Sequence, residues 1–307
     1  MTEPKTNHAS YANNNGIGNF GGDSTKPTGK KDIIIQSLWT KPITDKVRMR
    51  DTLFMAALSL AYAHKSGYIV HMHTDSYGMK LLDGYGYDKL LPTLDSIPSI
   101  VPTELFAAGK FFAMRADGAI GKVHVDIDVF LKKPGVLDKF YRDSRVDVIC
   151  QMDEDMPLVN HSHIIKHMYA LGYPASTRPN WNGSMNTGII GFNNPILAAK
   201  YMSNYFDALK IYTQEKFDQY KKENKDACLS FDFILEQINL SYMSIGYNVH
   251  TLLPTKEPTY IADKIGYQHL QGNGKWESST KATVKRFLLN IDEKLYYRAR
   301  LAGLKVK

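Results

Sequence analysis

The sequence predicts an α/β protein built as a single domain around a Rossmann-like sheet with parallel strands. An apolar run at residues 33–39, a helical repeat and a second apolar run at 68–75 follow one another at the spacing of a βαβ unit. A third, β-branched run occupies residues 124–130. The chain has 307 residues, of which 43% are hydrophobic, so it can bury one large core. Sheets of this class bind ligands at the carboxyl ends of their strands, and we expect the functional residues there.

The composition favours some classes of protein function and argues against others. A formal net charge of +7 favours an anionic partner such as a nucleotide, a phospholipid surface or nucleic acid. The two cysteines lie far apart and show no metal-ligand spacing, which argues against a disulfide framework and against a zinc knuckle. No run approaches the roughly 20 apolar residues of a membrane span, and no signal-peptide pattern opens the chain. We therefore expect a cytoplasmic protein, with peripheral membrane contact left open.

Residues 1–30 differ in composition from the rest of the chain. They are rich in Asn, Gly, Ser, Thr and Lys and contain little to bury, which predicts a disordered tail. Their glycines do not indicate a phosphate-binding loop, because no strand precedes them and no helix follows.

The βαβ unit is followed by the elements that lead to the site. Its helix is predicted over residues 46–66, with Gly67 at the C-terminal cap position, and its second strand ends at Asp75. A further helix is predicted over residues 103–115 and contains Lys110. Because that helix leads directly into the run at 124–130, the run is expected to form an inner strand of the sheet.

The run His-Val-Asp-Ile-Asp-Val-Phe at 124–130 carries two carboxylates in an otherwise apolar strand. Side chains of a strand alternate between its faces, so Asp126 and Asp128 are expected to point the same way. Two adjacent carboxylates cannot both be buried and ionised without a cation, and Mg²⁺ or Mn²⁺ would resolve that conflict. The alternative is a solvated Asp-Xaa-Asp that merely ends the strand.

Together with this run, four other segments resemble a known family. The whole set resembles the GT-A glycosyltransferases, in particular the glycogenin-like and bacterial lipopolysaccharide galactosyltransferase group called family 8, and a related uncharacterised bacterial family, over residues 31–280. The order of residues in one segment departs from the family's Asp-Gln-Asp helix, and Trp276 follows Lys275 where the family usually has a proline. The four segments are Ala-Gly-Lys at 108–110, the strand at 182–193, the helix at 230–237 and the closing motif at 267–276.

The resemblance implies a function and a set of site residues. The donor would be a UDP-sugar and the anomeric configuration would be retained. His269 would be the third metal ligand beside Asp126 and Asp128, with Mn²⁺ (or Mg²⁺) as the ion. To the nucleotide sugar, as cofactor-binding residues, we assign Gln36, Ser37, Asp75, Lys110, Asp126, Asn186, Gly272 and Lys275.

The chemistry of these residues supports the same interpretation without the family. A diphosphate leaving group needs its charge neutralised as the glycosidic bond breaks, and a metal clamped by carboxylates supplies this. Imidazole suits Mn²⁺ better than Mg²⁺, which favours Mn²⁺ if His269 binds the ion. Lys275 is a mobile charge suited to phosphate, and Lys110 could hold the diphosphate from the other side. The alternative for each is structural: a lone loop histidine is commonly a surface group, and Gly-Asn-Gly-Lys commonly a turn.

The strand at 182–193 and the acidic segments leave alternatives open. Gly188 and Gly191 in an apolar strand predict close approach of a ligand or another backbone. Asn186 would bond sugar hydroxyls, whereas Asn193 and Asn194 are expected to form a turn and cap the next helix. The acidic residues at 153–155 either contact an acceptor or form an exposed loop.

A polar face is predicted on the helix near residue 235. Asp232, Glu236 and Asn239 share that face, opposite apolar residues at helical spacing. Asp232 and Glu236 are the catalytic candidates, because a carboxylate can deprotonate an acceptor hydroxyl. A solvated helix face without function is the alternative.

The last residues read as a basic amphipathic helix over 281–307, which completes a division into 1–30, 31–280 and 281–307. Its apolar side is expected to pack and includes Leu301, and its basic side could rest on an anionic membrane.

The partners would be a nucleotide-sugar donor and a glycan, lipid-linked or protein acceptor. Two alternatives are a glycosyltransferase acting on modified nucleic acid and a non-catalytic protein that binds a sugar nucleotide or a divalent ion.

Overall fold

A computed structural model of the protein describes residues 32–155, 183–223, 228–253, 258–270 and 272–306. The predicted N-terminal tail lies outside the described residues, as do Asn182 and Gln271 of the motifs. Residues Lys31–Lys307 form one compact unit.

A seven-stranded mixed sheet organises the described part of the chain, as the α/β prediction requires. The spatial order is β3-β2-β1-β4-β7-β6-β8. Neighbouring strands from β3 to β4 are parallel, whereas β7 runs antiparallel to both β4 and β6. The strands are β1 (Ile33–Leu38), β2 (Ile69–Thr74), β3 (Lys89–Leu91), β4 (Val123–Val125), β5 (Val129–Leu131), β6 (Val148–Asp155), β7 (Gly183–Phe192), β8 (Val249–Leu253) and β9 (Tyr267–His269).

Strand β1 is where the chain changes its direction across the sheet. Strands β2 and β3 are added on one side of β1, and β4 is then added on the other side. Connections that leave neighbouring parallel strands in opposite directions leave a crevice beyond the carboxyl ends of those strands. The carboxyl ends of β1 and β4 therefore mark the expected ligand site.

Helices cover both faces of the sheet. Helices α1, α10 and α11 pack on one face with Ile34, and α3, α5 and the π-helix pack on the other with Ile35. A π-helix, Ile234–Ile238, joins α7 to α8, and short 3-10 helices occupy Thr93–Ser96 and Gly272–Trp276. The α-helices are α1 (Lys46–Lys65), α2 (Ser76–Leu82), α3 (Ala108–Asp117), α4 (Asp138–Arg142), α5 (Pro195–Ile211), α6 (Gln214–Glu223), α7 (Cys228–Phe233), α8 (Asn239–Met243), α9 (Pro258–Ile265), α10 (Ser278–Ile291) and α11 (Glu293–Leu304).

The predicted βαβ unit is confirmed, with one correction in the helix that follows it. Helix α1 begins where Asp45 accepts from the backbone N–H groups of Val47 (2.7 Å) and Arg48 (2.9 Å). The helix predicted over 103–115 is wrong in its first turn, because α3 begins only at Ala108. The preceding residues form tight turns, such as the one in which the Leu105 N–H bonds the Pro102 carbonyl (3.1 Å).

The run at 124–130 is not one strand, and this is the main correction to the predicted fold. Strand β4 ends at Val125, and the chain turns where the Val129 N–H donates to the Asp126 carbonyl (3.0 Å). Strand β5 then leaves the main sheet and pairs with β9. The period-two argument for Asp126 and Asp128 therefore does not apply, since a turn and not a pleated strand orients their side chains.

The two asparagines before α5 have the structural roles predicted for them. Oδ1 of Asn194 accepts from the backbone N–H groups of Ile196 (3.0 Å) and Leu197 (3.1 Å), which caps the helix. Nδ2 of Asn193 donates to the Phe140 carbonyl (3.0 Å) and ties the turn to α4.

The chain ends in two helices and not in the single helix predicted. Asp292 separates α10 from α11 and caps the second, accepting from the Leu295 N–H (2.8 Å). The break shifts the helical phase, so Val284, Leu288 and Leu295 are buried as expected but Leu301 is 59% exposed. Among the described residues, no helix combines the length and the apolar character that crossing a membrane requires.

Candidate active site

A cleft opens at the carboxyl ends of β1 and β4. Its volume is about 730 Å³. Ser37 lines it from the end of β1, Lys110 from the first turn of α3, Asp126 from the β4–β5 turn and Glu236 from the π-helix. Lys275 joins them from the late 3-10 helix. Polar and charged side chains from distant parts of the chain therefore meet in one concave site, the usual form of a small-molecule binding site.

Asp126, Asp128 and His269 form a cluster of candidate metal ligands, and the two aspartates of this cluster line the cleft. One oxygen of each carboxylate and one ring nitrogen of His269 lie within 4.8 Å of one another. The β5–β9 ladder pairs Val129 with His269, and the Leu270 N–H donates to the Asp128 carbonyl (3.0 Å). The ladder thus brings a residue from the late part of the chain beside the turn, and the predicted proximity of His269 to both carboxylates is confirmed.

Strands β6 and β7 set the orientation of the His269 ring. Nδ1 lies 2.7 Å from Oε1 of Gln151, which is an acceptor, so Nδ1 carries the proton and Nε2 keeps a lone pair that can bind a metal. Nε2 lies 3.5 Å from Asp128 Oδ1. At Gly188, a Cβ would stand 2.7 Å from Cε1 of His269. Side chains, and not the predicted ligand or backbone, therefore approach Gly188 closely, whereas at Gly191 the backbone carbonyl of Lys122 does. An imidazole bonded in this way is the usual form of a histidine metal ligand.

The three side chains suit a divalent cation. Two carboxylates and an imidazole supply oxygen and nitrogen donors, and ligands in an octahedron with bonds of about 2.1 Å stand roughly 3 to 4 Å apart. Burial raises the pKa of Asp126 to about 6, although Lys110 opposes the rise. Burial acts in the same direction on Asp128, but His269 and Lys275 hold the pKa of that carboxyl well below its ordinary value. The ammonium groups of Lys110 and Lys275 therefore balance the charge of the carboxylates where water cannot.

Lys110 is a fixed positive charge in the cleft. Its Nζ lies 3.1 Å from Asp126 Oδ1, donates to the Thr187 carbonyl (2.8 Å) and forms an ion pair with Glu236. The residue is 5% exposed. Burial by itself lowers the pKa of an ammonium group, but Asp126 and Glu236 reverse the effect and hold the pKa of Lys110 above its ordinary value.

Asp232 and Glu236 lie on one buried face of the helical segment behind Lys110. Asp232 accepts from the Ala107 N–H (2.6 Å) and the Tyr205 hydroxyl (3.0 Å), and Glu236 accepts from the Thr187 hydroxyl (2.5 Å). They are 1% and 6% exposed, so the alternative of a solvated helix face is wrong. Burial raises the pKa of Asp232 to about 8. Glu236 lies in the π-helix, a wide turn frequent at functional sites.

Lys275 occupies the turn that faces the metal-ligand cluster. Its Nζ lies 2.6 Å from Asp128 Oδ2 and 5.5 Å from the centre of the Trp276 ring. Gly272 starts this turn with φ +60°, a left-handed conformation that favours glycine. The guanidinium of Arg48 lies 5.6 Å from the same Trp276 ring, so cations and an aromatic ring line this part of the cleft.

The sequence matches the model of a protein family. The family described as "Family of unknown function (DUF6734)" matches residues 33–300. The chain belongs to that family. No curated protein sequence matches it.

Several solved glycosyltransferases are similar to this family member in structure. WbbM, a bifunctional glycosyltransferase, has a TM-score of 0.40 and 11% identity over 89% of this chain. GlyE of Streptococcus pneumoniae TIGR4 has a TM-score of 0.40 and 11% identity over 90%, and the galactosyltransferase LgtC, solved with donor and acceptor sugar analogues, has 0.37 and 11% over 86%. The chain spans 52% of the WbbM chain, 64% of GlyE and 95% of LgtC. Because these TM-scores are below 0.5, the similarity does not assign a function to the chain.

The strand ends contribute less to the cleft of this DUF6734 member than the sequence suggests. Ser37 lines it and bonds His124 Nε2 (2.9 Å). Gln36 points to the opposite face of the sheet, where its Nε2 donates to the Ser59 hydroxyl (2.7 Å). Asp75 caps α2 and accepts from the Thr40 N–H (2.8 Å). Of the described residues, those that line the cleft include neither Gln36 nor Asp75.

Asn186 also has protein partners in the structure. Nδ2 donates to Glu154 Oε1 (2.8 Å), and Oδ1 accepts from the Gly188 N–H (2.9 Å). The structure does not place Asn186 among the described residues that line the cleft. The acidic residues at 153–155 lie in β6 and not in a loop, although Asp153 is exposed as the loop interpretation expected.

Two residues of the site were not predicted. Gln151 orients His269, and Thr187 contributes a carbonyl to Lys110 and a hydroxyl to Glu236. One signal was available for Gln151, since it is a single amide in an apolar run, and it is 1% exposed. Thr187 offers no such signal, because threonine is an ordinary strand residue.

Proposed function

We propose that this chain is a metal-dependent glycosyltransferase that moves a sugar from a nucleotide diphosphate sugar, in the first place a UDP-sugar, to an acceptor hydroxyl. The observation that carries the proposal is the cluster of Asp126, Asp128 and His269 beside a cleft that Lys110 and Lys275 also line. Carboxylates next to two lysines suit a ligand that brings both a metal and an anion. Retention of configuration follows only from the family that the motifs resemble.

Asp126, Asp128 and His269 would hold the divalent ion. When bound, a Mn²⁺ or Mg²⁺ ion supplies positive charge to the diphosphate as the leaving group develops its charge. The imidazole favours Mn²⁺. Gln151 keeps the Nε2 lone pair of His269 available by accepting the Nδ1 proton.

The positive charges of the chain would bind the diphosphate. Lys275 lies on a short turn that begins at Gly272, where backbone N–H groups can approach a phosphate closely. Lys110 adds a second charge from α3. Ser37, at the end of β1, is placed to contact the nucleoside part of the donor, as strand ends do in sheets of this class.

Glu236 is the carboxylate proposed to act in catalysis, since it lines the cleft beside Lys110. Asp232 lies behind it and bonds the backbone of Ala107, just before α3. We therefore assign Asp232 a positioning role for the segment that carries Lys110.

Phe106 supports a carbohydrate acceptor. It lines the cleft and is 54% exposed, so much of its side chain is accessible to a partner. Aromatic rings stack on the apolar faces of sugars as they do on other flat groups. A glycan, free or linked to a lipid or protein, is accordingly the proposed acceptor. Separately, the cytoplasm is the proposed compartment.

The test is release of UDP from a panel of UDP-sugars with Mn²⁺. The variant Asp126→Ala/Asp128→Ala is expected to lose at least about 100-fold in turnover, the usual effect of removing charge stabilisation from an active site. Asp207→Ala is the matched control, because Asp207 lies at the surface and pairs only with an exposed lysine among its described ion pairs. Binding of UDP without turnover of any sugar nucleotide would replace the enzyme by a binding protein.

A further inference from the structure

Lys275 forms an ion pair with Asp128, one of the candidate metal ligands. Its ammonium group lies 2.6 Å from Asp128 Oδ2, whereas His269 Nε2 lies 3.5 Å from the other oxygen of the same carboxylate. The Asp128 side chain is 9% exposed, so the ion pair is largely shielded from water. A cation at the ligand cluster and an ammonium group at this distance from Asp128 would repel each other strongly.

The two lysines of the cleft differ in what holds them. Lys110 has three protein partners, Asp126, Glu236 and the Thr187 carbonyl, and its side chain is 6% exposed. The side chain of Lys275 is 25% exposed, extends from a five-residue 3-10 helix, and has Asp128 as its ion-pair partner among the described residues. Lys110 can therefore remain in place when a ligand binds, whereas Lys275 can move if it is offered another anion.

We propose that Lys275 is a specificity-determining residue. It neutralises Asp128 until a diphosphate binds and becomes the new partner of Lys275. The site therefore binds a metal together with a diphosphate in preference to the free metal. The inference rests on the proposed function, because it takes Asp128 as a metal ligand and a diphosphate as the donor's anion. It adds a role for Lys275 that precedes phosphate binding.

The consequence is a coupling between the two ligands. Free metal must displace the ammonium group from Asp128 without compensation, which weakens its binding. With a diphosphate present, the ammonium group exchanges Asp128 for a phosphate oxygen, and its displacement no longer weakens metal binding. Linkage requires the metal to increase the affinity for the diphosphate by the same factor, and couplings of this kind are typically about 5- to 150-fold.

The experiment measures the dissociation constant of Mn²⁺ alone by electron paramagnetic resonance or calorimetry, without any nucleotide. In Lys275→Met, the Kd for Mn²⁺ alone is expected to fall by about 5-fold or more, because Asp128 is then free. The factor by which UDP increases Mn²⁺ affinity is expected to fall at the same time. If Lys275 served only to bind phosphate, its removal would leave the affinity for Mn²⁺ alone unchanged.

Lys281→Met is the matched control for the loss of one positive charge. The Lys281 side chain is also 25% exposed, but it pairs with Asp51 at 3.4 Å and not with Asp128. Its removal should change the Mn²⁺ affinity by much less. The proposal is overturned if Lys275→Met binds Mn²⁺ no more tightly than the wild type, or if Lys281→Met tightens it equally.

Asp128→Asn separates this inference from the proposed function. If Mn²⁺ binds the wild type and not Asp128→Asn, the metal site stands, and an unchanged Lys275→Met then removes only the role of Lys275. If the wild type and Asp128→Asn bind Mn²⁺ equally, the metal site itself is wrong, and the inference fails together with the proposed function.

Discussion

Two pairs of carboxylates each include one partner of Lys110, and they differ in how the fold holds them. The cleft pair, Asp126 and Asp128, has side chains that are 32% and 9% exposed, and lysines contact both. In the helix pair, Asp232 is buried and the Glu236 side chain is 8% exposed, and both accept hydrogen bonds from backbone or hydroxyl groups of neighbouring elements. Asp128 can thus exchange Lys275 for a ligand, and Asp126 keeps Lys110 but opens to the cleft. The protein partners of Asp232 and Glu236 cannot leave without disturbing the packing.

The difference separates a carboxylate that can bind an ion from carboxylates whose partners are permanent. Buried ionised groups are tolerated when their partners are permanent, and Glu236 has such a partner in Lys110. An ion ligand needs the opposite property, and Asp128 has it because Lys275 can leave. Three measurements test this distinction.

The largest effect is expected for Glu236→Gln on stability. The change removes one of two carboxylates that balance the buried Lys110, and breaking a buried pair typically costs about 3–5 kcal/mol of the free energy of unfolding. Urea denaturation at neutral pH measures it. Asp128→Asn is the matched change in the cleft pair and should cost much less, because its partner Lys275 can turn to water. Equal losses would contradict the distinction between the two pairs.

The next effect is on the pH dependence of stability. The pKa of Asp232 is raised by burial to about 8, so the folded protein binds a proton more tightly at this site than the unfolded chain does. Its contribution to stability is complete below about pH 4 and is lost as the pH rises through about 8, with a slope of about 1.4 kcal/mol per pH unit between.

Asp232→Asn is expected to remove the contribution of Asp232 to that slope, measured as unfolding free energy between about pH 6.5 and 7.5, above the pKa of about 6 of Asp126. Asp207→Asn is the control, because a hydrogen bond from Lys210 lowers the pKa of that exposed carboxyl, and its titration is complete below this range. A wild-type slope that persists in Asp232→Asn would show that Asp232 is ionised in the folded protein.

A smaller effect is expected on metal affinity from Gly188→Ala. A Cβ at this position would stand 2.7 Å from both His269 Cε1 and Gln151 Oε1, so the imidazole must move. Disturbing the groups that orient a metal ligand typically costs about 10- to 100-fold in affinity, which Mn²⁺ titration would measure.

Gly191→Ala is the control in the same strand. Its Cβ would meet the Lys122 carbonyl at 2.8 Å, away from the ligand cluster, so it strains β7 without touching His269. Stability is expected to fall in both variants, but Mn²⁺ affinity of the folded protein only in Gly188→Ala. The same Mn²⁺ affinity in both variants would show that His269 does not bind the ion.

Much of the architecture could be predicted from the sequence because its signals are local. The βαβ unit follows from apolar periodicity, and the caps at Asn194 and at the end of α1 follow from residue type. The candidate ligands Asp126 and Asp128 follow from the Asp-Xaa-Asp run, and His269 follows from the resemblance of the closing motif to that of a known family. The end of β4 could not be predicted, since Val129 and Phe130 look the same whether they continue a strand or begin another one.

The amino-acid sequence was sufficient to predict the class of fold, the edge of the sheet at which the cleft opens and three side chains that could hold a cation. Which groups balance the charges of these side chains depends on the tertiary structure. Lys110 and Glu236 are 126 positions apart, and Lys275 and Asp128 are 147 apart. Pairings at such separations depend on how the sheet and its covering helices pack, a property of the whole chain that periodicity and residue type do not encode.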